Sequence, residues 1–292
     1  MSMLGGASPS SDASAWVITP TTRHGFIARW VEVWQYRHTL SFFALEAMQT
    51  LYGKTMLGVP WVFIRVLLPL VIGTWVFGEV MQVQSGAVPY FIFYNTGQLA
   101  WSCFDGPLIR ASRGLAVNRD LLGKLYIPRI ILPLASMTAG LVEPLIMVVV
   151  LLGSIVYYRL TDGVWYVHPS VRLLVAPLAV LQILVFSLSL SFCTSVWQAR
   201  ARDVRFILRY IIGFWVYVTP IIYPMARIPA KIRWAAYLNP LTAPVELFKW
   251  AVLPDMEHSW AWTGYSVAVT AVMFVFGAWY FGHVEGTTVD RM

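Results

Sequence analysis

Charge is what this chain has least of. Of 292 residues, 21 are Lys or Arg and 14 are Asp or Glu, together 12%, against about 25% in soluble domains. The carboxylates are too few and too dispersed to suggest a catalytic pair. Cysteine is nearly absent: Cys103 and Cys193 both fall inside apolar runs, which argues against a disulfide framework. The five histidines lie far apart, and no His/Cys/carboxylate cluster has metal-ligand spacing. There is no Gly-x-Ser-x-Gly elbow. Gly53-Lys54-Thr55 lacks the glycine that a phosphate-binding loop needs five positions before its Gly-Lys pair; Met48 stands there. No catalytic residue, metal or cofactor of the chain's own is therefore expected. Residues 1–15 lack an apolar segment, so no cleavable signal peptide is expected, and 1–25 read as a disordered tail.

What the chain has instead is apolar length, at 58% hydrophobic residues. Long apolar runs cover 61–83, 88–108, 130–158, 171–196, 205–223 and 260–282. A membrane core of roughly 30 Å needs about 20 such residues per crossing helix. Lys and Arg in short loops favour the cytoplasmic side, and here they alternate. Arg23, Arg29, Arg37 and Lys54 precede the first run, and the next linker has neither residue type. Arg110, Arg113, Arg119, Lys124 and Arg129 follow the second. Only Arg159 and Arg172 follow the third, whereas Arg200, Arg202, Arg205 and Arg209 cluster after the fourth. Six crossings with both termini in the cytoplasm fit this pattern. It also accounts for the net charge of +7 without invoking nucleic acid. The fifth linker disagrees: Arg227, Lys231, Arg233 and Lys249 fall outside, partly offset by Glu246, Asp255 and Glu257.

The fold class is thus an all-α polytopic membrane protein of six transmembrane helices. A transmembrane domain over 61–292 follows an N-terminal region, 26–60, in which apolar residues recur at spacings of three and four. That amphipathic pattern, over 26–56, suits a helix in the membrane interface or one packed on the protein's own surface. In the linker 110–128, Asn118 can cap a short helix with Asp120 in its first turn, ended by Pro128. Such a helix is either a plain connector or an element that receives force from a soluble partner. The fifth linker is apolar yet broken by Pro220, Pro224, Pro229, Pro240, Pro244 and Pro254, which forbid one long helix. Two short helices are expected near 231–238 and 242–253, as a re-entrant external hairpin or as a cap on the outer surface.

Glu143, beside Pro144, is an intramembrane acid; it is protonated, bonded to a neighbouring helix, or facing a wet cavity. Arg65, Asp105 and Glu79 lie near run ends, where long side chains can reach the interface. Trp75, Tyr90, Phe93, Tyr94, Trp101, Trp215 and Tyr217 form the candidate aromatic path for a glycan, with lipid-facing packing as the alternative. 

Three passages resemble the permease subunit of ABC type-2 exporters of O-antigen, capsular and related polysaccharides. They are Lys54-Thr55-Met56-Leu57-Gly58-Val59-Pro60-Trp61, then Asn118-Arg119-Asp120-Leu121-Leu122-Gly123-Lys124-Leu125-Tyr126-Ile127-Pro128-Arg129, then Tyr217-Val218-Thr219-Pro220-Ile221-Ile222-Tyr223-Pro224 with Leu238-Asn239-Pro240 beyond. The resemblance implies a homodimer paired with two separate ATP-binding subunits, which carry the ATP and Mg. It implies that Arg113, Asn118, Arg119, Asp120 and Lys124 couple to those subunits. It implies a lipid-linked polysaccharide substrate moved across a bacterial inner membrane, with Arg37, Lys54 and Arg65 as candidate gate contacts to its diphosphate. Rival readings are an efflux permease for small amphiphiles or a teichoic-acid-like polymer, a membrane-embedded polyprenyl-sugar transferase, and an ion-coupled transporter.

Overall fold

The computed structural model describes residues 26–52, 59–118, 127–167 and 170–289, and all regular structure among them is helical. The tail 1–25 and residues 119–126, where the coupling helix is expected, lie outside the described residues. Helix α1 spans Phe26–Gln35, α2 Arg37–Tyr52 and α3 Val59–Gly73, the last running on as a π-helical stretch, Thr74–Val80. Helix α4 spans Tyr90–Val117, α5 Ile131–Ala139 and α6 Val142–Asp162. A 3-10 turn, Val171–Val175, leads into α7, Ala176–Arg200, followed by α8, Val204–Val218. Two short helices, α9 (Arg233–Tyr237) and α10 (Thr242–Val252), precede the last, α11 (Trp260–Val289).

Four segments are long and apolar enough to cross a membrane: Pro60–Val80, Ile131–Asp162, Val171–Arg200 and Trp260–Val284. The other two runs came out differently. The run 88–108 is part of α4, 28 residues long. Helix α4 carries Asn95, Gln98, Ser102, Asp105, Arg110 and Arg113, and it is buried by the other helices along most of its length. The run 205–223 is shorter than expected: α8 has 15 residues, roughly 22 Å at 1.5 Å per residue. Pro220 closes it, because proline lacks the N–H that would continue the ladder.

The third run is broken in the middle. Pro144 sits in the first turn of α6, where its missing N–H costs nothing within the helix but cannot satisfy the Gly140 carbonyl. The break lets α4 come very close. A methyl group on Gly140 would stand 2.4 Å from the Pro107 nitrogen, and one on Gly106 2.9 Å from the Gly140 oxygen. Small polar residues perform the same service along α7, where Ser187, Ser191 and Ser195 are buried at helical spacing. Ser187 Oγ donates to the Phe104 carbonyl at 3.0 Å, and the Ser112 and Thr194 hydroxyls meet at 2.5 Å.

Two apolar clusters hold the bundle. The larger runs through α4, α6, α7 and α10; the smaller gathers Phe43, Leu115, Ile131, Leu132, Phe192, Val196 and Phe281. The smaller one lies at the end that also carries Arg110, Arg113, Arg205 and Arg209, the basic end. There the expected single helix over 26–56 is two helices, meeting at Tyr36. Phe43 of α2 packs against α5, while Val31, Trp34, Phe42 and Leu45 stay exposed. Asn118 closes α4, its Nδ2 donating to the Gly114 carbonyl at 2.9 Å, and the short helix expected after it lies outside the described residues. The two short helices of the fifth linker are present as α9 and α10, and α10 is buried against α4 and α7.

Gly140→Val is expected to lower the melting temperature of the detergent-purified protein, at an overpacking cost of about 1–3 kcal/mol or more. Gly153→Ala, in the same run but with nothing within 4 Å, is expected to leave it unchanged or raise it.

Candidate functional site

Glu143 is not a lone acid. Its Oε1 lies 3.2 Å from Arg65 Nη1 on α3 and 3.4 Å from Arg110 Nη2 on α4. Asp105, one turn before Arg110, is within electrostatic reach of all three. Two carboxyl groups and two guanidinium groups thus join α3, α4 and α6. A single buried carboxylate is costly in an apolar setting, and flanking guanidinium groups offset much of that cost. Of the three readings left open by the sequence, bonding to neighbouring helices is the one observed. Glu143 is 18% exposed at its side chain and Arg65 56%, so Arg65 holds Glu143 on one side and meets the surroundings on the other.

Around Arg110 the chain leaves a cavity of about 500 Å³ between α2, α4 and α5. Glu46 and Thr50 of α2 face Arg110, Arg113 and Asn118 of α4 across it, with Leu132 and Ala135 of α5 as the apolar side. Two of the expected coupling residues, Arg113 and Asn118, line this space; Arg119, Asp120 and Lys124 lie outside the described residues. Of the expected gate contacts, Lys54 also lies outside them. Arg37 is exposed on α2, with its guanidinium 5.7 Å from the Trp34 ring.

The seven aromatics divide. Phe93, Tyr94 and Trp101 are buried in the chain's own core. Tyr90 stacks on Tyr94 with ring centroids 5.9 Å apart and donates its hydroxyl to the Ile222 carbonyl at 2.7 Å. Trp215 packs edge-on against Phe104 at 5.3 Å and donates Nε1–H to Asn239 Oδ1 at 2.9 Å. Trp75 and Tyr217 are instead 61% and 60% exposed.

Sequence reasoning missed Lys249. It counts among the external charges of the fifth linker, yet it is 0% exposed. Its ammonium donates to the carbonyls of Pro220 and Ile221, lies 4.2 Å from the centre of the Phe93 ring, and pairs with Glu246 at 3.7 Å. Those two carbonyls follow the end of α8, where the prolines leave no helical N–H to bond them. The fit also requires Gly97: a methyl there would stand 2.8 Å from the Ile221 oxygen and 3.0 Å from Lys249 Cε. The legible signal was a Glu–Lys pair three residues apart inside an apolar helix. Residue counting along linkers does not see it.

Lys249→Met is expected to destabilise the purified protein by about 3–5 kcal/mol, because it strands a buried carboxyl and two carbonyls. Thermal unfolding in detergent checks this. A variant with unchanged stability would show that the ammonium holds nothing.

Comparison with known proteins adds to this geometry. Residues 41–253 match the family described as ABC-2 type transporter. Over 244 residues, 82% of this chain and 90% of the other, the sequence is 27% identical to the O-antigen export system permease protein RfbA of Myxococcus xanthus. The matched region begins in α2, contains the Arg65–Arg110–Glu143 network, and ends just after α10 and Lys249. The chain belongs to the ABC-2 type transporter family of membrane permeases.

Proposed function

We propose that the chain is the transmembrane permease of an ABC exporter that carries a lipid-linked polysaccharide across a bacterial inner membrane. The glycan is an O-antigen, a capsular polymer or a related envelope polysaccharide. ATP and Mg act on a separate subunit. The observation that carries this reading is the match to an O-antigen export permease over nine-tenths of that protein's length.

In this reading α4 and α8 complete a six-crossing plan with the four long apolar helices. The arginines of the basic end face the cytoplasm, as positive charge does in short loops, and both termini share that side. Helices α1 and α2 lie at the interface, their exposed Trp34, Phe42 and Leu45 against lipid. The fifth linker is a re-entrant external hairpin whose irregular backbone is buried in protein. Two copies pair through the apolar faces that one copy leaves bare, such as Phe206, Tyr210 and Phe214 on α8. Two ATP-binding subunits dock at 113–128. The network around Glu143 and the cavity beside it stand where the gate opens.

Three outcomes test this. Purification from native membranes is expected to bring down an ATP-binding protein with the chain. Replacing both Asp120 and Lys124 with Ala should lower ATPase stimulation in that complex while insertion stays intact; wild-type stimulation would remove the docking assignment. Trp75→Ala combined with Tyr217→Ala should reduce polymer export without loss of assembly. An equal loss of both would mark these rings as packing surface.

A further inference from the structure

Two groups of arginines stand at the basic end, and they are electrically different. Arg65 and Arg110 share Glu143. Arg113 on α4 and Arg205 and Arg209 on α8 form no ion pair with any carboxylate among the described residues. These three converge on a separate cavity of about 190 Å³ between α4, α7 and α8. Arg205 and Arg209 are four residues apart, so both project from one face of the first turns of α8. Gln198, near the end of α7, completes the polar side; Ile109 and Leu208 form the apolar side. Gln198 is 7% exposed. Three like charges around a small space repel one another. An anion in the cavity offsets that repulsion.

We propose that this cavity binds the phosphate of an anionic amphiphile. Guanidinium forks match phosphate oxygens in two-pronged hydrogen bonds, and the Gln198 amide adds a neutral donor. The wall of Ile109 and Leu208 suits the first methylene groups of a lipid chain. Because its ligands come from three helices, an occupied cavity clamps α8 against α4 and α7. Resting on the reading of the chain as a polysaccharide permease, the occupant is the diphosphate that joins the glycan to its lipid; the same chemistry is offered by membrane phospholipid.

The test uses the permease together with its ATP-binding partner in phosphatidylcholine nanodiscs. Undecaprenyl diphosphate, phosphatidylglycerol and cardiolipin are supplied in turn, and retained lipid is read by native mass spectrometry. The wild type is expected to retain undecaprenyl diphosphate. Arg205→Gln/Arg209→Gln should retain it at least about tenfold less well, with the double Lys variant between the two and Lys231→Gln unchanged. Arg113→Gln, on the opposite wall, should weaken retention in the same direction and keeps the test open if the double variant fails to assemble. Loss confined to phosphatidylglycerol or cardiolipin, with no undecaprenyl diphosphate bound by the wild type, upholds the phosphate site and overturns the diphosphate carrier as its occupant. Equal retention of every lipid by wild type and variants overturns the site and leaves the permease reading standing. So does loss of the ATP-binding partner with lipid retention intact, which would make the arginines a protein-docking surface.

Discussion

A buried ammonium holds together the part of this chain where the helical ladder fails. Prolines end α8 and leave the carbonyls of Pro220 and Ile221 without helical partners, and Lys249 reaches back from α10 to donate to both. Buried carbonyls need a donor from within the protein when no helical ladder supplies one. The requirements extend outward from that point. Glu246 balances the charge, Phe93 presents its ring face, and Gly97 keeps α4 close enough for the contact. Helix α10 is thereby part of the core, whereas α9 has no buried residue.

The same constraint explains how the bundle distributes its charge. Glu143 gathers Arg65 and Arg110, so three helices meet around a neutralised network. Arg113, Arg205 and Arg209 lie nearby without such a carboxylate among the described residues. The end of the bundle that is richest in arginine therefore combines a satisfied set, which locks helices, with an open set that can take an anion. The opposite end holds the fifth linker, its charges mixed: Arg227 and Arg233 line a cavity with Glu246, Asp255 and Glu257. A permease needs two ends that do different things, and these two differ in chemistry as well as in shape.

Much of this was legible in the sequence because it follows from local rules. Apolar length marked the four long helices, and prolines located the breaks around 220–254 together with the two short helices between them. The missing parts depend on which helices meet. Periodicity cannot say that α4 is the central helix, and only its polar residues, Asn95, Gln98, Ser102 and Asp105, hint that it avoids lipid. Glu143 was legible as unusual, but its partners are 78 and 33 residues away and follow from packing. Lys249 was read with the linker charges because counting treats each Lys as solvated. Its burial also eases the one discordance in the charge pattern, since a Lys paired with Glu246 adds no net charge to the fifth linker. Arg227, Lys231 and Arg233 remain in that linker.

The orientation of those two ends is the claim on which the functional account stands. Single cysteines placed by Arg202→Cys and Lys231→Cys, in a chain whose own Cys103 and Cys193 are replaced, can be labelled with a membrane-impermeant maleimide. The account predicts that the position-202 cysteine reacts only in inverted membrane vesicles and the position-231 cysteine only from the outside of intact spheroplasts. The reverse pattern, or reaction of both from one side, would contradict it.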